Sequence, residues 1–171
     1  MELRELTRDD ELALSIFLDS ECGHSQMYQT VKNLRDSNML AMDRLAFEGD
    51  KIVGYVCFAK MVQPADWWVL AVLVVSSHER KKGIGRELVY RGMHHARRAK
   101  CPAVVVVGDP DYFAQVGFST SAARNLQLPF AKDYTSLHPI APGTGLSAHE
   151  LIYPTAFVPF DQGTESQAEL S

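Results

Sequence analysis

The stretch Arg80-Lys81-Lys82-Gly83-Ile84-Gly85-Arg86 lies between a solid apolar run, Val69 to Val75, and a helix-forming segment, Glu87 to Lys100. That order limits the possible folds more than any other feature of the chain. A run that is apolar on both alternations reads as a strand covered on both faces. The helix after it places Leu88, Val89, Gly92, Met93 and Ala96 on one side and Arg86, Arg91, Arg97 and Arg98 on the other. Strand, tight turn and helix in this succession belong to an α/β sheet. Two glycines one residue apart leave no Cβ over the turn's backbone N–H groups, and the helix adds its unpaired first-turn N–H groups and the positive end of its dipole. Such a turn is an anion cradle, shaped for phosphate oxygens.

Charge supports a small polyanion rather than a long one. The chain carries a net −4, which argues against a protein that grips nucleic acid through its backbone phosphates. Residues 78–100 nevertheless hold eight Lys or Arg (80, 81, 82, 86, 91, 97, 98, 100) against Glu79 and Glu87, a local +6, leaving −10 for the rest. Cys22, Cys57 and Cys101 show neither CxxC nor metal-ligand spacing, so no disulfide frame or zinc site is expected, and the thiols suit a reducing cytosol. A charged start, Met1-Glu2-Leu3-Arg4-Glu5, and the absence of any apolar run near the roughly 20 residues that span a bilayer predict a cytoplasmic protein away from membranes.

With 171 residues and 46% apolar content the chain fits one domain, residues 1–160, followed by a polar tail at 161–171. Glu2 to Leu6 reads as a strand. Thr7 caps a helix through Asp9 to Asp19 with Leu12, Leu14, Ile16, Phe17 and Leu18 as its apolar side, and a second helix covers Gln26 to Asn38. Gly49-Asp50 joins Arg44–Glu48 and Lys51–Val62 as a hairpin. Further strands are expected at Trp67–Val75, Ala103–Val107 and from Gly117-Phe118, with a short helix Pro110–Gln115 capped by Asp109. Residues 119–147 read as a surface excursion before a last strand, Ala148 to Phe160. The order is βααβββαβαβ and then that late strand: a mixed sheet, antiparallel early and parallel around the phosphate turn.

These residues resemble those of the GNAT acyl-CoA N-acyltransferases. The family's signature is Gln or Arg, any two residues, Gly, any residue, then Gly or Ala, and Arg80-Lys81-Lys82-Gly83-Ile84-Gly85 meets it in full. Val107-Gly108-Asp109-Pro110-Asp111-Tyr112-Phe113, closing in Gly117-Phe118, and Tyr153-Pro154-Thr155-Ala156-Phe157 resemble segments of its YhbS-like branch, so the likeness runs from Leu3 to about Phe160.

The resemblance implies a single-domain GNAT fold whose sheet splays between its fourth and fifth strands. It implies acetyl transfer from acetyl-CoA to a primary amine by direct attack in a ternary complex, with no metal, and it allows a homodimer. Carried over by position, Leu73, Val74 and Val75 offer backbone groups to the pantetheine arm, and Arg80, Lys81, Lys82, Gly83, Ile84, Gly85 and Arg86 hold the diphosphate. The amide of Val74 or Val75 is the expected oxyanion donor. A thioester is already activated, so catalysis is chiefly placement, oxyanion stabilisation and proton handling.

Proton handling is where this chain departs from the family. Many members place a tyrosine five residues before the phenylalanine of the Gly-Phe pair, and here that position is Phe113, with Tyr112 beside it as the candidate acid. The fourth strand contains no carboxylate. Asp66 at its edge and Glu21 and His24 between the first two helices are the candidates for the base, and Tyr134, His138 and Tyr153 are candidates for the acceptor side. A GNAT-fold protein that binds acyl-CoA with little or no transfer is the alternative reading.

Overall fold

The computed structural model describes residues 1–160; residues 161–171, read above as a polar tail, lie outside the described residues. The described chain runs β1 (Glu2–Arg4), α1 (Glu11–Cys22), α2 (Gln26–Asp36), β2 (Leu40–Glu48), β3 (Lys51–Lys60), β4 (Trp68–Val75), α3 (Ile84–Arg98), β5 (Ala103–Val107), α4 (Pro110–Ala114) and β6 (Thr135–Pro139). The strands form one sheet in the order β1-β2-β3-β4-β5-β6. Every pairing is antiparallel except β4 with β5, between which α3 makes the crossover that parallel neighbours require.

The sheet separates two cores. Leu14, Leu18, Val31 and Leu34 of α1 and α2 pack on one face, together with Leu151 and Phe157 of the C-terminal segment. Ile84, Leu88, Val89 and Met93 of α3 pack on the other, with Tyr112 and Phe113 of α4. α3 lies so close to the sheet that a Cβ on Gly92 would fall 1.9 Å from the Phe58 ring, so glycine is required there by contact rather than by backbone conformation.

Several expectations need correction. The apolar side assigned to α1 is narrower than read, since Leu12 and Ile16 are 72% and 61% exposed while Leu14 and Leu18 carry the packing. The first turn after Thr7 is a separate 3-10 turn, Arg8–Asp10, whose Asp10 carboxylate accepts from the Thr7 N–H and pairs with Arg4. The glycine turn is tighter than expected, because α3 begins at Ile84 and so takes Gly85 into its first turn.

The late strand, Ala148 to Phe160, does not form. Pro154 and Pro159 lack the N–H that a ladder needs, and the segment makes only isolated bridges, Gln63 with Ile152 and Gln127 with Glu150. The sixth strand instead comes from Thr135–Pro139, inside the stretch read as an excursion, where a buried Thr135, Ser136 and Leu137 pair along β5. From Gly117-Phe118 only a single bridge, Ser119 with Leu137, is made.

Candidate functional site

The site begins with a defect in β4. Cys57 pairs with Val72 and Phe58 with Leu70, so Ala71 is an extra residue, a bulge that bends the strand. Pairing with β5 ends beside it: Trp68 matches Val104 and Val69 matches Val105, and beyond these the strands share no register. β4 continues to Val75 and β5 to Val107, and the two ends diverge into a gap.

Ladder alternation fixes which backbone groups face that gap. The Ser76 N–H donates to the Val53 carbonyl at 2.8 Å, so Ser76, Val74 and Val72 turn their polar groups to β3, and Leu73 and Val75 turn theirs to the open edge. Of the three strand residues singled out in the sequence, Leu73 and Val75 therefore present their backbone to the gap, and Val74 does not. The side chains of all three are buried, Leu73 and Val75 in the core under α3 and Val74 in the core under α1.

On the β5 side, the Gly108 N–H donates to Tyr134 at 2.8 Å, which by the same alternation turns the Val107 carbonyl toward the gap. There it accepts the Phe160 N–H at 3.2 Å. The C-terminal segment thus borders the opening.

At the end of β4 the chain turns through residues 76–83 into α3. Lys81 and Gly83 have φ of 66° and 83°, and nothing lies within 4 Å of a Cβ built on Gly83, so at that N-cap glycine is selected by its left-handed backbone. Gly83 brings no side chain to close over the first-turn N–H groups of α3. Lys81, Lys82 and Arg86 are exposed around this turn and Arg80 is half-buried. Lys82 is paired with Glu79 at 2.7 Å, and Arg86 reaches the Gln115 side chain at 3.5 Å. Four of the eight basic residues counted in the sequence, Arg80, Lys81, Lys82 and Arg86, therefore surround the start of α3, where an anion site requires them, whereas Arg97, Arg98 and Lys100 lie at its other end.

Tyr112 and Phe113 are both buried, with rings in edge contact at 4.9 Å. Phe113 packs against Phe118 and Phe160. The Tyr112 hydroxyl is buried and has no hydrogen-bond partner among the described residues. Burial pushes this phenol up to about 12, against the opposing pull of the Arg86 charge. A buried hydroxyl without a partner is costly, and it stays protonated throughout the neutral range.

Glu21, in the last turn of α1, accepts the Ser77 N–H on Oε2 at 3.0 Å. This carboxylate reaches across to the loop that follows β4, a tie with no signal in the sequence. His24 is exposed and accepts the Gln26 N–H at 3.2 Å. Asp66 is exposed at the amino end of β4, the end opposite the gap, so the structure does not bring it to the site. His138 is held between the Gly117 carbonyl at 2.8 Å and Arg97 at 3.0 Å, a bracing role on β6.

Comparison with known proteins bears on this arrangement. The model of the acetyltransferase (GNAT) family matches residues 2–118. The chain belongs to the GNAT family. Among curated GNAT relatives, the uncharacterized N-acetyltransferase YhbS of Escherichia coli is 33% identical over 101 residues, 57% of this chain and 60% of the relative, so the aligned stretch spans less than two thirds of those relatives' length. The crystal structure of Escherichia coli YhbS in complex with CoA superposes with a TM-score of 0.81 at 24% identity, over 91% of this chain and 90% of the other. A GNAT acetyltransferase from Brucella melitensis in complex with acetyl-CoA gives 0.74 at 20% identity, over 91% and 96%. At these identities the solved structures establish the GNAT fold of this chain, including the splayed sheet.

No group of three or more His, Cys, Asp or Glu suited to a metal is found among the described residues. No helix among them is long and apolar enough to cross a membrane.

Proposed function

We propose that the protein is an acetyl-CoA-dependent N-acetyltransferase acting on a primary amine by direct attack in a ternary complex. The observation that carries this reading is the joining of two features: a gap edged by the backbone of Leu73 and Val75, and, where β4 ends, a basic glycine turn opening onto the uncapped start of α3. The pantetheine arm of acetyl-CoA hydrogen-bonds the strand edge, and the diphosphate rests on the turn from Arg80 to Arg86. That CoA and acetyl-CoA are bound by the GNAT proteins of Escherichia coli and Brucella melitensis named above supports this choice of donor.

In the reaction the amine nitrogen attacks the thioester carbonyl, a tetrahedral oxyanion forms, and the carbon–sulfur bond breaks to release CoA thiolate. The Val75 N–H, directed into the gap, is the oxyanion donor. Tyr112 protonates the thiolate: its buried hydroxyl lacks a partner among the described residues and so has a hydrogen free to donate. Glu21 takes the proton from the amine on Oε1, directly or through water, while Oε2 keeps the Ser77 contact.

A covalent route through cysteine is disfavoured, because burial pushes all three thiols upward, Cys101 to about 11, away from the reactive thiolate. These free thiols also suit the reducing cytoplasm where we place the protein. Its partners are then acetyl-CoA and the amine, with no role for nucleic acid, membrane or resident metal, and a homodimer is compatible with the fold.

The second reading, acyl-CoA binding with little transfer, rests on Phe113 in place of the usual tyrosine. Measuring CoA release over an amine panel decides between them. Tight acetyl-CoA binding without turnover on any amine overturns the enzyme reading.

A further inference from the structure

Resting on the acetyltransferase reading, we propose that the amine acceptor carries one aromatic or bulky apolar group, and that this group binds in a hollow formed by Phe130, Tyr153 and Phe157. The hollow measures about 540 Å³ and lies on the α1 and α2 side of the sheet, the face opposite α3 and α4. That volume falls within the range of small-molecule sites.

Its walls are aromatic. Tyr153 and Phe157 stack with ring centroids 4.8 Å apart at 14°, and Phe130 meets both edge-on, at 5.0 and 5.8 Å. Leu128, Leu151 and Ile152 add aliphatic surface to the lining. Among the described residues that line the hollow, Glu150 is the one charged side chain, and it is exposed. Gln127 and Thr155 add uncharged polar groups, and a lining so short of charge complements a molecule that seats a hydrophobic body, rather than a row of cations, in it. A polyamine or an aminoglycoside, with charges spread along its length, would have to desolvate several of them against rings and aliphatic carbon.

The backbone ties this hollow to the gap. Phe157 stands three residues before Phe160, whose N–H bonds to Val107, and this separation spans at most about 10 Å of extended chain. Phe130 stands four residues before Tyr134, whose carbonyl accepts from Gly108. Two walls of the hollow, Phe157 and Phe130, are thus tethered to the carboxyl end of β5, where the sheet opens, and the wall from Glu150 to Ile152 is tied to Gln63 beside the amino end of β4. An acceptor seated on these rings projects its amine toward the gap from one face, and acetyl-CoA enters from the face of α3.

Calorimetric titration of phenylethylamine and, separately, of spermidine into the CoA-saturated protein tests the proposal without relying on turnover. Phenylethylamine is expected to bind at least about tenfold more tightly than spermidine, and Phe130→Ala is expected to weaken it about tenfold with CoA affinity unchanged. Phe130→Leu, which removes the ring and keeps an apolar side chain, is the second variant in case the alanine protein misfolds. Equal or tighter binding of spermidine, or no effect of removing the ring, overturns the proposal. Failure of the protein to bind CoA is a separate result, against the acetyltransferase reading; the same phenylethylamine titration on the CoA-free protein then decides the hollow alone.

Discussion

The Glu21 carboxylate accepts the Ser77 N–H at 3.0 Å, so the end of α1, on one face of the sheet, holds the loop that leads to the glycine turn beneath α3 on the other. This contact separates two roles for one side chain. Glu21→Gln retains an oxygen acceptor for Ser77 and removes the basic carboxylate. It should keep the KM for acetyl-CoA within about threefold and lower kcat about a hundredfold. Glu21→Ala should impair both. Normal kcat in the glutamine variant would reduce Glu21 to a residue that positions the loop.

Tyr112→Phe should separate catalysis from stability. Removing a buried hydroxyl that lacks a partner should leave the free protein as stable as before or more stable by about 1 kcal/mol in denaturant unfolding. Turnover should fall at least tenfold, as expected for loss of a general acid. Unchanged turnover would leave thiolate expulsion to water.

The same phenol gives a pH dependence. Its pKa rises from 10.0 to about 12 on folding, so between those values the unfolded chain releases the proton and the folded one keeps it. The folded state therefore loses stability relative to the unfolded chain as pH rises from about 10 toward 12, and the phenol has no such effect below that window. Unfolding curves across this alkaline window should show a shallower fall for Tyr112→Phe than for the parent protein.

Gly83 and Gly92 should fail for different reasons. At Gly83 there is room for a side chain but φ is 83°, so Gly83→Val should cost about 1–2 kcal/mol of stability and weaken acetyl-CoA binding about tenfold by displacing the turn. At Gly92 the backbone is helical and the obstacle is the Phe58 ring. Gly92→Ala should cost about 1–3 kcal/mol in unfolding experiments and leave acetyl-CoA affinity nearly unchanged. A Gly83→Val protein with parental affinity would count against the cradle.

The strand-turn-helix around Gly83 was readable because each part has a local cause: apolar residues on both faces of β4, a glycine in a left-handed N-cap, and an amphipathic α3. The bulge at Ala71, which starts the splay, was not readable, since nothing in a run of valine, leucine and alanine marks which residue will be left unpaired. The sixth strand was missed for a related reason. Thr135–Pro139 looks polar and short, and it becomes a strand only because β5 offers it an edge, whereas the more apolar Ala148–Phe160 is interrupted by prolines. At the site, the glycine motif marked the anion turn, but the contact of Glu21 with Ser77 joins residues 56 apart in sequence and depends on how α1 is placed.

A crystal structure of the protein with acetyl-CoA bound would show how the cofactor lies across the gap and the glycine turn. The diphosphate oxygens are expected on the backbone N–H groups from Gly83 to Arg86, the pantetheine arm along the Leu73 and Val75 edge, and the thioester carbonyl within hydrogen-bond distance of the Val75 N–H. Acetyl-CoA bound elsewhere, or a gap kept closed by the segment ending at Phe160, would contradict this placement.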